Sequence, residues 1–474
     1  MKYLRWNFSL RLRPSANSRV RFLRLLVLLS ALLPASDLLS QEQSQDKPKF
    51  EVDLSEFQKE IDKLATKPYS LGGFFEFQPT LLGIDRDSAV SRVRFFKDRQ
   101  DNLFDQYNFR LRLEGSYKKD WFSMFFKTDT LVRNDFQGWD EDTKLFEAYT
   151  SIKPTSNVIF EAGKKVMKWG KGYAWNPVSF IDRPKNPEDP EEALEGSTVA
   201  TADYIRSFDG PLKTLTLTTA LIPVYKYVNA KFGELYHTNF ASKLYLLLYD
   251  TDVDLMVFTG SSRTTRYGFD FSKNLTTNLE IHGEFAVVNN LDMMAINASG
   301  QATKTQADAI SHLIGLRYLT EKETTYFLEY YRNGGGFSRA QIKDFISFVD
   351  DSYRTFVKTG NDNGMVRAAK LLDGPYGMAN PGRHYLYFRA SQKEPFDILY
   401  LTPAVTSIMN LTDASLTVIP EIAYSPITNL ELRFRTAFLL GKKGTEYGEK
   451  QNDYRVEFRL RYYFGLESIL GSIF

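Results

Sequence analysis

From about Tyr69 onward, apolar and polar residues alternate at every second position along most of the chain. Near the C-terminus Val456, Phe458, Leu460, Tyr462 and Phe464 interleave with Arg455, Glu457, Arg459 and Arg461. Successive strand side chains point to opposite faces, so such a segment has one wholly apolar face and one densely charged face. The same pattern recurs at Phe109, Leu111 and Leu113 against Arg110, Arg112 and Glu114. It returns at Tyr267, Phe269 and Phe271 against Arg266 and Asp270, and at Leu430, Leu432 and Phe434 against Glu431, Arg433 and Arg435. A single strand of this kind suits a soluble sandwich as well as a membrane barrel; its repetition separates the two.

The connections supply an independent criterion. Tight turn signals fall at 118–120, 154–157, 209–211, 250–252, 273–276, 320–323, 393–397 and 425–429. Between them lie connections at 79–104, 133–142, 166–196, 223–237, 261–263, 289–306, 333–383, 411–413 and 441–452, most of them long. Strict alternation of short and mainly long connections is expected when turns face the periplasm and loops face outward. Counting segments predicts an all-β fold, a transmembrane antiparallel β-barrel of about 18 strands spanning 69–464. Within 333–383, Ser338 is placed to cap a helix carrying Ile342, Phe345, Ile346, Val349, Tyr353, Phe356 and Val357 at helical spacing. Its apolar face must pack on other loops or enter the lumen.

The N-terminus reads differently. Residues 1–36 have the form of a signal peptide: Lys2, Arg5, Arg11, Arg13, Arg19, Arg21 and Arg24, then the apolar run from Leu25 to Leu33, then Ala35 and Ser36. The apolar run is about half the ~20 residues of a membrane-spanning helix. Residues 37–68 form a short periplasmic segment in which Leu54, Phe57, Ile61 and Leu64 predict one amphipathic helix. Residues 465–474 form a tail after the last strand.

Charge and composition sharpen this picture. The formal net charge of +2 belongs to the leader: seven of the 60 basic residues lie in it, leaving 53 against 58 acidic ones. Nucleic-acid binding therefore has no compositional support. Aromatic residues make up 15% of the chain and charged residues 25%, a mixture suited to a wall between lipid and water. There is no cysteine, which excludes thiolate metal sites, covalent c-type haem and a lipid-modified N-terminal cysteine. After the leader no apolar run approaches helix-spanning length, so a membrane form must be a closed barrel.

Two stretches resemble known families. The strand ending at Phe464 resembles the C-terminal assembly signal of outer-membrane barrels, which implies recognition by the barrel assembly machinery; here ten residues follow the aromatic position. The segment from Lys168 to Pro177, with Trp169, Gly170, Gly172, Trp175 and Asn176, is similar to a W-G-x-G-x-x-x-N-P stretch. That stretch occurs in porin-like outer-membrane barrels of alginate-export-type and related uncharacterised families. The resemblance implies transport across the outer membrane, with Trp169, Trp175, Asn176 and Pro177 as loop anchors.

Candidate chemistry is sparse. Gly170-Lys171-Gly172 lacks the spacing and the parallel-sheet context of a phosphate loop. His237, His282, His312 and His384 are scattered; Glu280, His282 and Glu284 share a strand face, where lumen lining is favoured over metal binding. Ser311 and His312 are adjacent and point to opposite faces, so they cannot pair. No catalytic, cofactor or metal site is expected. The pore-lining candidates are Glu76, Arg110, Arg112, Glu114, Glu431, Arg433, Arg435, Arg455, Glu457, Arg459 and Arg461, from strands that closure makes neighbours. Their seven arginines against four carboxylates form either a salt-bridge ladder or a positive stripe attracting anions. The first functional reading is a diffusion channel for small hydrophilic solutes, anionic ones included, in contact with outer-membrane lipids. The alternatives are the outer-membrane part of a polymer or lipid export system with periplasmic partners, and a conduit or scaffold barrel around another protein.

Overall fold

The structure, a computed structural model, describes residues 68–97 and 101–465. The expected leader, residues 37–67 of the expected 37–68 segment, and the tail beyond Gly465 lie outside the described residues. Eighteen strands form one sheet in which each strand hydrogen-bonds its sequence neighbours, and β1 (Tyr69–Ile84) pairs with both β2 (Leu103–Lys119) and β18 (Asn452–Gly465). The ring is closed, so the sheet has no open edge whose backbone groups lipid would leave unpaired.

Between β2 and β18 the strands follow in order. They are β3 (Phe122–Asp135), β4 (Gly138–Thr155), β5 (Val158–Lys165), β6 (Ser197–Ser207), β7 (Leu212–Val224), β8 (His237–Leu248), β9 (Thr251–Thr259) and β10 (Arg266–Asn274). Then come β11 (Leu279–Ile296), β12 (Ala302–Leu319), β13 (Thr324–Arg332), β14 (His384–Gln392), β15 (Leu401–Asn410), β16 (Ser415–Ile427) and β17 (Leu430–Leu440). Each expected tight turn coincides with a short connection at one rim. Three of the expected long connections are shorter. β1 runs on to Ile84, β3 and β4 meet in a tight hairpin at 136–137, and β11 and β12 continue to Ile296 and from Ala302. The start of β4 and of β12 is exposed on both faces. Strand that rises above lipid into water loses its apolar face, and with it the period-two signature that marks a strand in sequence.

The outward positions stay exposed although they are apolar: Phe126, Phe160, Leu255, Phe285, Ile314, Leu328, Ile422, Phe434 and Phe458 are each more than a third accessible. A water-soluble protein would not display such a belt, whereas lipid demands it. Exposed aromatics ring both rims. Trp121, Tyr204, Tyr249, Tyr318 and Tyr400 stand by the short turns, and Phe136, Trp139, Tyr225, Tyr236 and Tyr267 by the loops.

The loops build a cap. α1 (Ala89–Phe95), α2 (Arg339–Thr359) and α3 (Asn363–Leu372) pack through Ala89, Val93, Ile342, Phe345, Val349, Met365 and Ala368. Ser338 caps α2 with a reciprocal capping box to Gln341, as its position predicts, and Gly360 ends the helix in the left-handed region at φ 74°. The apolar face of α2 is thus buried against neighbouring loop elements, the first of the two options the sequence leaves open. An epitope inserted in 333–383 should be labelled on intact cells and one at 156–157 should not; the reverse pattern would invert the barrel.

Candidate functional site

The loop between β5 and β6, residues 166–196, starts and ends at the loop rim but folds inward. Three sets of contacts hold it there. The first is apolar: Trp169, Val178, Phe180 and Ile181 are buried against Val199, Ile222, Met256 and Phe258 of the barrel wall. Trp175 stacks on Tyr331 with ring centroids 5.1 Å apart and donates its indole N–H to Asn380 Oδ1 at 3.1 Å. Tyr173 stacks on Phe327 at 4.1 Å.

The second set explains the two glycines of the motif. Lys171 and Gly172 donate backbone N–H groups to Glu284 Oε1 at 2.7 and 2.6 Å, and Val178 donates to Oε2 at 3.2 Å. The Asn176 amide adds a bond to Oε1 at 3.1 Å. Next along the loop, Tyr173 and Ala174 donate to Glu329 at 2.5 and 2.9 Å, and His282 Nε2 meets the same carboxylate at 2.8 Å. Glu284 and Glu329 are almost wholly buried, so their carboxyl oxygens depend on these bonds for the partners that water would otherwise supply. Gly170 sits at φ 98°, and a Cβ there would lie 2.8 Å from Glu284 Oε1; at Gly172 it would lie 2.1 Å from the Trp175 carbonyl oxygen. The amides of Lys171 and Gly172 therefore do cradle an acceptor, but it is the protein's own Glu284 side chain. Pro177 is half-buried beside Asn176.

The third set is electrostatic. Glu188 forms an ion pair with Arg455, and its carbonyl accepts a bond from Arg435 at 3.2 Å. Asp189 lies 3.6 Å from Arg433 and 3.5 Å from Arg459, and Glu192 lies 3.2 Å from Arg110. Burial works to raise the Glu188 carboxyl, but Arg455 and then Arg435 outweigh it and hold it below the usual carboxylate range.

The expected pore-lining residues all lie on the face opposite the exposed apolar belt. Arg112 binds Asp129 of β3 at 2.6 Å, Arg461 binds Glu76 at 2.5 Å, and Arg459 binds Glu431 at 3.0 Å. Arg435 binds Glu457 at 2.6 Å, Arg433 reaches Glu421 at 3.5 Å, and Glu114 stands apart with Lys127 at 3.8 Å. Arg389 of β14 joins through Glu421 at 3.3 Å. The arginine excess read from the wall strands is therefore met from elsewhere. Eight arginines face eight carboxylates, of which Asp129 and Glu421 come from further strands and Glu188, Asp189 and Glu192 from the inward loop. Sequence reading missed these partners. The signal that could have found them was the acidic run 188–192 in the same chain as an arginine-rich wall.

Glu280, His282 and Glu284 do not converge on one point. His282 lies between Glu280 at 3.6 Å and Glu329 at 2.8 Å, while Glu284 serves the loop amides. Among the described residues no cluster has the donors of a metal site.

No family profile matches the chain and no curated protein is similar to it. Among solved structures, Pseudomonas aeruginosa OccK5 (OpdH) is similar at 11% identity and a TM-score of 0.48, over 84% of this chain and 98% of that one. Pseudomonas aeruginosa OprD matches at 11% identity and a TM-score of 0.43, over 84% and 95%. A triple mutant of the Rhodopseudomonas blastica porin matches at 11% and 0.41, over 84% and 100%. By its own closed ring of 18 strands, exposed apolar belt and charged interior, the chain is a membrane-spanning antiparallel β-barrel.

Proposed function

We infer that the protein is a diffusion channel of the outer membrane for small hydrophilic solutes, with loop 166–196 as its constriction. One observation carries this reading: the loop is folded into the barrel and tied by Glu188, Asp189 and Glu192 to the inward arginines of β2, β17 and β18. A loop held against a charged wall narrows the lumen while leaving it polar, which suits solutes that carry hydration or charge. A sheath around a partner protein needs an empty lumen, so the folded loop weighs against that alternative. Purified protein in planar bilayers should give discrete conductance steps without any partner. An export component that opens only on engagement of periplasmic proteins would stay silent, and silence would end the channel reading.

A further inference from the structure

A second charged region lies apart from the arginine–carboxylate seam. Loop 166–196, the 225–236 connection and the loop-rim ends of β4, β5 and β10 enclose a cavity of about 1010 Å³. Seven lysines and arginines line it against two carboxylates, Asp182 and Glu195. Neither carboxylate is available to balance the rest. Asp182 accepts the backbone N–H groups of Met167 and Lys168, both at 2.7 Å, and Glu195 is bound by Lys164 at 2.5 Å and Arg183 at 2.8 Å.

Four cations of this cavity have no carboxylate within 4 Å among the described residues: Lys185, which donates to the carbonyls of Gly172 and Tyr173, and Lys231, Arg263 and Arg266. Arg263 lies over the Phe232 ring at 3.7 Å and donates to the carbonyls of Phe232 and Phe180, which fix its plane but leave its charge uncompensated. The Nε of Arg266 is buried with no hydrogen-bond partner. Burial, then the neighbouring Arg266 and Arg183, push the Arg263 guanidinium down to about 10. Holding like charges together at a half-buried rim is unfavourable unless something anionic completes the set.

We propose that this cavity is a binding site for a multivalent oxyanion, held by Arg263, Arg266 and Lys231 ahead of the constriction. Guanidinium pairs recognise carboxylate and phosphate groups through parallel N–H donors, and low-dielectric walls strengthen each contact. The cavity volume accommodates a small organic anion as well as an inorganic one. As an entry station for permeating solutes the site rests on the channel reading; as a binding site it does not.

The test is calorimetric titration of the folded, detergent-solubilised barrel with inorganic pyrophosphate and, separately, with citrate. Saturable binding of either is expected, weakening at least tenfold in Arg263→Gln/Arg266→Gln and unchanged in Arg459→Gln at the seam. Relative strength of the two probes tells phosphate from carboxylate preference. Because Arg263 also bonds backbone carbonyls, the exposed Lys231→Glu serves as a second variant that leaves the fold intact, and it should weaken binding severalfold. No saturable binding to the unmodified protein, or binding that ignores both Arg263→Gln/Arg266→Gln and Lys231→Glu, overturns the proposal. Conductance on the same preparation reports on the channel separately, since a silent barrel can still bind and a conducting one can fail to.

Discussion

Replacing Glu188, Asp189 and Glu192 together by their amides should make the channel strongly anion-selective. In the intact protein these three carboxylates bring the seam to eight arginines and eight carboxylates. The amides keep hydrogen-bonding oxygens for Arg110, Arg433, Arg455 and Arg459 but remove three negative charges. Arginine does not titrate at accessible pH, so the exposed positive field persists across it. A local potential of only about 1 kT, acting with opposite sign on anion and cation, gives an anion-over-cation permeability ratio on the order of tenfold, well within the several-kT potentials of charged clefts. Screening should shrink the effect, since the Debye length falls from about 10 Å at 0.1 M salt to about 3 Å at 1 M. The measurement is the reversal potential in a KCl gradient at low and high salt. A triple variant with the selectivity of the parent would place the permeation path away from these arginines.

Releasing the loop should have an effect of comparable size on conductance and on stability. In Glu284→Ala/Glu329→Ala the backbone amides of Lys171, Gly172, Tyr173, Ala174 and Val178 lose their acceptors. Each donor left buried and unpaired costs about 1–3 kcal/mol, so the inward conformation loses at least ~5 kcal/mol relative to one in which water solvates the loop. Larger single-channel steps, tryptic cleavage at Lys168, Lys171 or Lys185, and a lower temperature for loss of the folded band on gels are the expected results. Glu284→Gln, which retains an acceptor oxygen, should fall between. Were the double variant to conduct and resist trypsin like the parent, the apolar contacts of Trp169, Trp175 and Phe180 would be sufficient to seat the loop.

The neutral seam also changes what the arginines do for folding. Closure of the ring brings β1 and β18 together late in sequence, and Arg461 of one strand binds Glu76 of the other. Such a pair, with two guanidinium N–H groups on one oxygen of the buried Glu76, contributes to register at the joint, where no hairpin turn fixes it.

Much of this architecture was legible in the amino-acid order. The alternation around Phe109, Phe269, Phe434 and Phe458 and the spacing of the tight turns determine strands, parity and closure, because they are local consequences of pleat and turn geometry. The cap of α2 at Ser338 and the choice of Trp169, Gly170, Gly172 and Trp175 as a built segment were legible for the same reason. What only tertiary structure decided is where loop 166–196 goes and which charges meet. Glu188 reaches Arg455 across 267 residues and Lys171 reaches Glu284 across 113, and no local pattern encodes such pairings. Counting charge on four wall strands gave an arginine excess; folding cancels it, because electrostatics acts through space and the compensating carboxylates arrive from a loop that looks like surface in sequence. The cavity ringed by Arg263, Arg266 and Lys231 has the same origin. Its cations are spread over two connections and a strand end, and only the folding of those connections beside the inward loop brings them to one cavity.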